Sequence, residues 1–177
     1  AEAVLEMPFG LTAPKWLPDG QHVVVGTMVI PELAGALGEA DRAAMKKELK
    51  RRKEAKMTAR VTEDRQYRFF DKYLTDGFAS RLLRIDVATK EVKDLTPGYD
   101  RWFQADGEVV YDVAPDGGHV VVVMNSTPPP YRDFLNNDLY LVPTDGTGGL
   151  KNLSPDNPGS DGQPVHAPDG RSLYYLR

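Results

Sequence analysis

Three stretches of the chain share one order of apolar and polar positions: an apolar residue, Pro-Asp-Gly, a polar pair and then a β-branched or aromatic run. They are KWLPDGQHVVVG at 15–26, DVAPDGGHVVVVMN at 112–125 and VHAPDGRSLYYLR at 165–177. Pro presets φ for a turn, Asp can accept hydrogen bonds from the turn backbone, and Gly tolerates positive φ. The runs that follow lack helical periodicity and predict strands at 22–28, 119–125 and 172–177. Each copy therefore predicts a β-hairpin.

A second element follows the first two hairpins. LLRIDVATKEVKDLTP at 82–97 and DLYLVPTDGTGGLKNLSP at 138–155 both predict a strand, a tight turn and another strand that ends in Leu-Thr/Ser-Pro. The N-terminal AVLEMP resembles that ending. We therefore expect residues 1–8 to form the outer strand of a preceding unit.

Together these elements predict a unit of four antiparallel strands joined as a meander. Gly117 and Leu153 are 36 positions apart, whereas Gly20 and Leu95 are 75 apart, which implies a 39-residue insertion in the first unit. A four-stranded unit that repeats after roughly 40–50 residues is typical of a β-propeller blade. The fold class expected is all-β, a partial β-propeller of four-stranded antiparallel blades with one helical insertion. Its blades span 12–97 (insertion at about 31–70), 108–155 and, as the start of a third, 163–177.

Known propellers close with about 4–8 blades. A chain of this length supplies two blades and a hairpin, so we expect it to be a fragment of a larger propeller or to assemble with other copies. Open blades leave strand edges that pair readily with other chains. Self-association through these edges is therefore expected.

The insertion contains a segment, 39–57, without Gly or Pro and rich in Ala, Leu, Lys, Arg and Glu, which favours a helix. Its apolar stripe is thin and consists of Met45, Leu49 and Met57, with Leu37 just before it. Eight Lys/Arg stand against four Asp/Glu. Three interpretations are open: a solvated helix across a propeller rim, a basic patch for nucleic acid or an acidic partner, and a lid or side wall over a substrate entrance.

The segment that follows, RVTEDRQYRFFDKYLTDGF, is dense in aromatic residues and in charges of both signs. We expect Tyr67, Phe69 and Phe70 to pack as strand residues. Arg68 and Asp71 would either line a channel or pair with each other.

Composition narrows the functional classes. The formal net charge of −4 gives no general attraction to nucleic acid or anionic membranes, and no apolar run is long enough to span a bilayer. With 41% hydrophobic and 27% charged residues the chain is typical of a soluble globular protein. The absence of cysteine excludes disulfides and thiolate chemistry, but it leaves a cytoplasmic and a periplasmic location both open. No signal peptide is visible in AEAVLEMPFG.

Catalytic chemistry is not evident in the sequence. No G-x-S-x-G is present, and Gly159-Ser160-Asp161-Gly162 has the wrong spacing. His22 and His119 occupy the same place in successive repeats, which favours a structural role, and His166 is expected in a first strand. Asp145-Gly146-Thr147-Gly148-Gly149 leads into a strand and predicts a hairpin turn rather than a phosphate site. We therefore predict no catalytic, cofactor-binding or metal-binding residue, no cofactor, and no substrate-binding residue that can be assigned by motif.

The repeats and their connecting segments resemble the propeller domain of the prolyl oligopeptidase family of serine peptidases, in its bacterial dipeptidyl-aminopeptidase and acylaminoacyl-peptidase-like branch. The resemblance covers nearly the whole chain. The PDG repeat is shared with TolB-like propellers, whereas the order Tyr-Arg-Phe-Phe-Asp, Asp-Gly, IDVATKEVKDLTP is more specific to the peptidases. Arg81-Leu82 departs from the His-Leu of many relatives, and RWFQADGEVVYDV is short before its first strand.

This resemblance implies a substrate-gating propeller for short peptides. It implies a C-terminal α/β-hydrolase domain, as a partner within the parent chain, that carries the nucleophile, the acid and the histidine. The enzyme would be an exopeptidase of dipeptidyl-peptidase or acylaminoacyl-peptidase type, and this chain would lack the triad. The alternative is a TolB-like binding propeller that recognises a protein partner and has no catalytic domain.

Overall fold

The computed structural model describes residues 4–56, 59, 61, 63, 67–74, 76–128 and 136–177. Within these ranges the chain is all-β apart from one α-helix and one 3-10 turn. The strands of the first unit are β1 (Thr12–Trp16), β2 (His22–Val29), β3 (Arg68–Phe69), β4 (Lys72–Tyr73), β5 (Ala79–Asp86) and β6 (Val92–Asp94). Those that follow are β7 (Tyr111–Val113), β8 (His119–Asn125), β9 (Asn137–Pro143), β10 (Lys151–Asn152), β11 (Gly162–His166) and β12 (Leu173–Leu176). The helical elements are a 3-10 turn (Pro31–Leu33) and α1 (Glu39–Glu54).

Two four-stranded antiparallel sheets confirm the expected fold class. The first has the order β1-β2-β5-β6 and the second the order β7-β8-β9-β10, so each is a meander in which strands that follow one another pair. In the first sheet the meander is interrupted between β2 and β5 by the insertion, which contains α1 and the small hairpin β3–β4. A third, two-stranded sheet pairs β11 with β12.

The PDG turns have the geometry that their sequence predicts. In each, the glycine N–H donates to the main-chain oxygen three residues earlier, with distances of 3.1, 2.8 and 2.9 Å at Gly20, Gly117 and Gly170. Their φ angles are +66°, +73° and +70°, a region that a residue with a Cβ adopts only under strain. Each turn joins the first strand of a unit to its second.

The main core lies between the two four-stranded sheets. Val24 and Leu82 of the first sheet pack against Val120, Val122 and Val142 of the second, and all five are almost completely buried. Because side chains alternate along a strand, these residues form one face of each sheet. The sheets therefore stack face to face, as neighbouring blades of a propeller do.

Gly26 allows a close approach between these two sheets. A Cβ built on it would lie 2.8 Å from the side chain of Val109, which enters the second sheet. No real Cβ contact is that short, so the interface requires a residue without a side chain at this point in β2.

Helix α1 covers the opposite face of the first sheet. Met45, the buried residue of α1, joins Leu37, Val25 and Leu83 in a second apolar cluster, and Leu49 packs against its edge. The predicted stripe through Met45 and Leu49 is thus the contact surface, while residue 57 lies outside the described residues. The Nε atoms of Arg51 and Arg52 lie 2.7 and 2.8 Å from the carboxylate of Glu48. Two of the basic side chains of α1 are therefore paired with an acid of the same helix.

Residues 4–8 are not in a strand in this chain: the segment makes a turn and buries Met7 in the cluster under α1. Their expected place as the outer strand of a preceding unit stays a prediction. Some expectations for the insertion are corrected. Tyr67 and Phe70 do not pack as strand residues: their exposed fractions are 45% and 82%, and Phe70 is in a turn with φ +49°. Phe69 does lie in a strand, β3, which is half-buried there.

Neither α1 nor the 3-10 turn, the helical elements of the described part of the chain, has the length and apolar character that crossing a bilayer requires.

Candidate functional site

The first strands of the three units are linked by charged and polar side chains. Lys15 of β1 places its Nζ 3.2 Å from Oδ1 of Asp112 in β7. The other oxygen of Asp112 accepts hydrogen bonds from the main-chain N–H of His166 in β11, at 2.7 Å, and lies 3.0 Å from its Nδ1. With His119, which contacts His166, these residues are called the first-strand cluster below.

The repeat itself places two members of the cluster. Lys15 and Asp112 each stand three positions before the proline of their PDG turn and face equivalent partners, Val24 and Val121, on the next strand. His166 stands two positions before its proline, the place taken by Trp16 and Val113 in the earlier units.

A register shift within β11, between Gly162 and Val165, accompanies this arrangement, and Gln163 in the shift has φ +51°. The first strand of the first unit has a similar shift between Thr12 and Lys15. Such β-bulges redirect the side chains of the strand that contains them.

Asp112 is the centre of the cluster. Burial acts to raise the pKa of its carboxyl, but the hydrogen bonds from the main chain and ring of His166 and from Lys15 outweigh burial and lower that pKa. The Lys15 ammonium also donates to the main-chain oxygen of Tyr111 at 2.6 Å and lies 5.1 Å from the centre of its ring. Asp112 is therefore held as a carboxylate between two cationic or polar donors.

The two imidazoles of the cluster meet through their Nε2 atoms. Nε2 of His119 lies 3.3 Å from Nε2 of His166, with the ring centres 5.2 Å apart and the planes at 69°. The His166 side chain is only 6% exposed, whereas His119 is half-buried at the start of β8. Burial, followed by the proximity of His166, lowers the pKa of His119.

The cluster contains an acid and a histidine that it orients, which are two of the three members of a nucleophilic triad. The partners of the His166 ring, however, are a carboxylate and a second imidazole, and neither is a nucleophilic hydroxyl. The arrangement can orient an imidazole, share a proton or bind a cation, but it does not activate a serine.

Ser160 and Asp161, which the sequence places in a loop of unsuitable spacing, have structural contacts. The Ser160 hydroxyl accepts from the main-chain N–H of Asn137 at 3.3 Å. Asp161 is buried, and its Oδ1 accepts from the side-chain amide of Asn157 at 2.6 Å. The loop is thus tied to the start of β9.

His22 and His119 hold the same position in the repeat but have different surroundings. Nδ1 of His22 lies 2.7 Å from Asp19 of its own turn, and its Nε2 lies 3.7 Å from Asp86. Only His119 faces a second imidazole. Their shared place in the repeat predicts the same structural role for both. The signal in the sequence that separates them lies in the third unit, where His166 stands at the position that Trp16 and Val113 hold in the earlier units.

Two other sequence features have local explanations. In the 145–149 turn Asp145 accepts from the main-chain N–H of Thr147 at 2.8 Å, and Gly146 and Gly148 have positive φ, as a hairpin turn between β9 and β10 requires. Arg81 is buried and places its Nε 3.1 Å from Oδ2 of Asp94. Across the described ranges no group of three or more His, Asp or Glu side chains is arranged to hold a metal ion.

Comparisons with known proteins give a distant likeness. No family model matches the chain, and no curated protein matches it. A solved structure of a puromycin-hydrolyzing peptidase from Mycobacterium tuberculosis is similar to it, with a TM-score of 0.39 and 16% sequence identity. The similarity covers 95% of this chain and 27% of that peptidase, so the chain spans well under two thirds of its length.

Proposed function

We propose that this chain is the non-catalytic, substrate-gating part of a serine peptidase that cleaves short peptides, an exopeptidase of dipeptidyl-peptidase or acylaminoacyl-peptidase type. The proposal rests on the sequence resemblance to prolyl oligopeptidase propellers and on the first-strand cluster. In it the blades are 12–97, 108–155 and 163–177, and an α/β-hydrolase domain is the catalytic partner.

The first-strand cluster is the observation that carries the proposal. In a propeller the first strand of each blade lines the central channel. Here Lys15 and Asp112, whose side chains are 43% and 23% exposed, come from neighbouring first strands. In the complete propeller their charges would lie at the wall of the channel. Partly exposed charges at a channel wall favour a polar, extended substrate such as a short peptide over an apolar one.

The test uses the full product of the source gene and a series of peptide substrates of increasing length. If the first strands gate access, Lys15→Ala and Asp112→Asn will change kcat/KM for peptides, with the effect depending on peptide length. The rate at which a small fluorophosphonate labels the nucleophilic serine will stay unchanged, because that reagent needs no gate.

Asp145→Asn, an exposed turn carboxylate away from the first strands, is the matched control and should leave all rates as in the wild type. The chain of 177 residues alone should hydrolyse none of the substrates. A full product with no hydrolase activity would favour the alternative, a binding propeller. Equal effects of Asp145→Asn and Asp112→Asn would refute gating by the first strands.

A further inference from the structure

We propose that His119 and His166 bind one divalent transition-metal ion through their Nε2 atoms, and that this ion ties β11 to β8. The site uses two protein ligands, with solvent in the remaining coordination positions. It is independent of the peptidase proposal, because it requires only the second and third sheets.

The separation of the two nitrogens carries the inference. Two metal–imidazole bonds of about 2.0–2.1 Å at a tetrahedral angle place their nitrogens about 3.3 Å apart. The distance between the Nε2 atoms of His119 and His166 is 3.3 Å. Without an ion the two Nε2 atoms are within hydrogen-bond distance of each other, so an ion bound between them would take the place of the shared proton.

The environment of His166 is that of a metal ligand. A histidine that binds a metal through one nitrogen usually donates its other N–H to a carboxylate, which fixes the tautomer and the ring orientation. Nδ1 of His166 lies 3.0 Å from Oδ2 of Asp112, and this carboxylate is itself held by Lys15. The proton of the ring therefore resides on Nδ1, and the Nε2 lone pair faces His119.

The ligand type selects the metal. Imidazole nitrogen suits Zn²⁺, Ni²⁺ and Cu²⁺, whereas Ca²⁺ and Mg²⁺ prefer oxygen ligands. His119 is the first residue of β8, two positions after the glycine of one PDG turn, and His166 is the last residue of β11, two positions before the proline of the next. Both ligands therefore lie where their strands meet a PDG turn. An ion held here would fix the third unit against the second at this point.

Zn²⁺ is the probe for the test. The 177-residue chain, treated with EDTA and exchanged into clean buffer, is titrated at about pH 7.5, above the ordinary imidazole pKa, against a chromophoric chelator. We expect one equivalent to bind. Long-range ¹H–¹⁵N spectra should show coordination shifts at Nε2 of His119 and of His166 and none at His22.

Three variants sharpen the test. His119→Gln should abolish the site, and Asp112→Asn, which leaves both ligands in place, should weaken binding by about tenfold or more. His22→Gln is the matched control, because His22 has the same place in the repeat but faces only carboxylates. It should bind Zn²⁺ as the wild type does.

The proposal is overturned if His22→Gln loses as much affinity as His119→Gln, or if Zn²⁺ leaves the Nε2 resonances of His119 and His166 unmoved. It is also overturned if His119→Gln retains the wild-type affinity. His119 is half-buried at a strand end, so its substitution is expected to leave the fold intact, and far-UV circular dichroism verifies this.

Discussion

The hydroxyl of Tyr111, in the second sheet, lies 2.8 Å from the main-chain oxygen of Val24, in the first. The same hydroxyl lies 2.6 Å from the main-chain oxygen of Ala13 in β1. One side chain thus joins its own sheet to two strands of the neighbouring sheet, at a place where water has little access.

Tyr111→Phe removes a single O–H donor that lies between two main-chain acceptor oxygens at the interface. An unsatisfied buried polar group costs about 1–3 kcal/mol, so the free energy of unfolding should fall by that amount. Urea unfolding followed by tryptophan fluorescence measures it. Tyr175→Phe, at a ring that is 40% exposed, is the control and should change little. An unchanged stability of Tyr111→Phe would show that the hydroxyl does not join the sheets.

Gly26→Ala places a methyl group against Val109, where the two sheets approach closely. Overpacking of this kind typically costs about 1–3 kcal/mol, and we expect a loss of stability in that range. Gly149→Ala is the matched control, because a Cβ there meets no atom within 4 Å. Combining Gly26→Ala with Val109→Ala should recover part of the loss. If the double variant is as unstable as the sum of the single ones, the contact is not the cause.

Met45→Ala tests whether α1 is packed on the first sheet or only lies near it. Met45 is fully buried, and truncating a buried methionine costs about 2–5 kcal/mol. Lys47→Ala, at an exposed position on the same helix, should stay within about 0.5 kcal/mol of the wild type. Chemical denaturation of both variants decides the point. Similar small effects would mean that the helix is not part of the core.

Asp19 makes the stability of the first PDG turn depend on pH. Hydrogen bonds from the main-chain N–H groups of Gln21 and His22 and from the His22 ring lower the pKa of its carboxyl to about 2. A carboxyl whose pKa is lower in the folded than in the unfolded state stabilises the fold at pH values above its unfolded pKa of about 3.9. This stabilisation is lost as the pH falls through the folded pKa. The difference in Tm between wild type and Asp19→Ala should therefore be constant near neutrality and shrink from about pH 4 to pH 2.

Asp156→Ala, at an exposed loop position, serves as the control for this titration. A difference between wild type and Asp19→Ala that persists at the lowest pH would assign the effect to something other than the carboxylate.

The β11–β12 hairpin leaves an apolar pair on its outer face. Val165 and Tyr174 lie opposite each other across the two strands and are 56% and 67% exposed. We expect copies of the chain to associate with one another to an extent that increases with concentration, which light scattering after size exclusion measures. The association should be lost when both Val165 and Tyr174 are changed to Lys. Lys47→Glu, on α1, should have no effect. A wild-type chain that stays monomeric throughout would contradict this prediction.

Local features could be predicted from the sequence because neighbouring residues determine them. The PDG turns, the strand from His119 to Asn125 and the start of α1 at Glu39 follow from turn chemistry and composition. The contact between His119 and His166 could not, because 47 positions separate them and it depends on how the third sheet stacks on the second. The exposure of Phe70 has a different cause: its aromatic character predicts burial, but it lies in a turn with φ +49° and is 82% exposed.

Helix α1 and the buried Met7 segment cover one face of the first sheet, while the outer face of the β11–β12 hairpin is left bare. Two copies that met through this bare face would use the same patch on each, which is an isologous contact. Assembly of this kind stops at a pair, whereas a stack with both ends open would add copies head to tail into a filament.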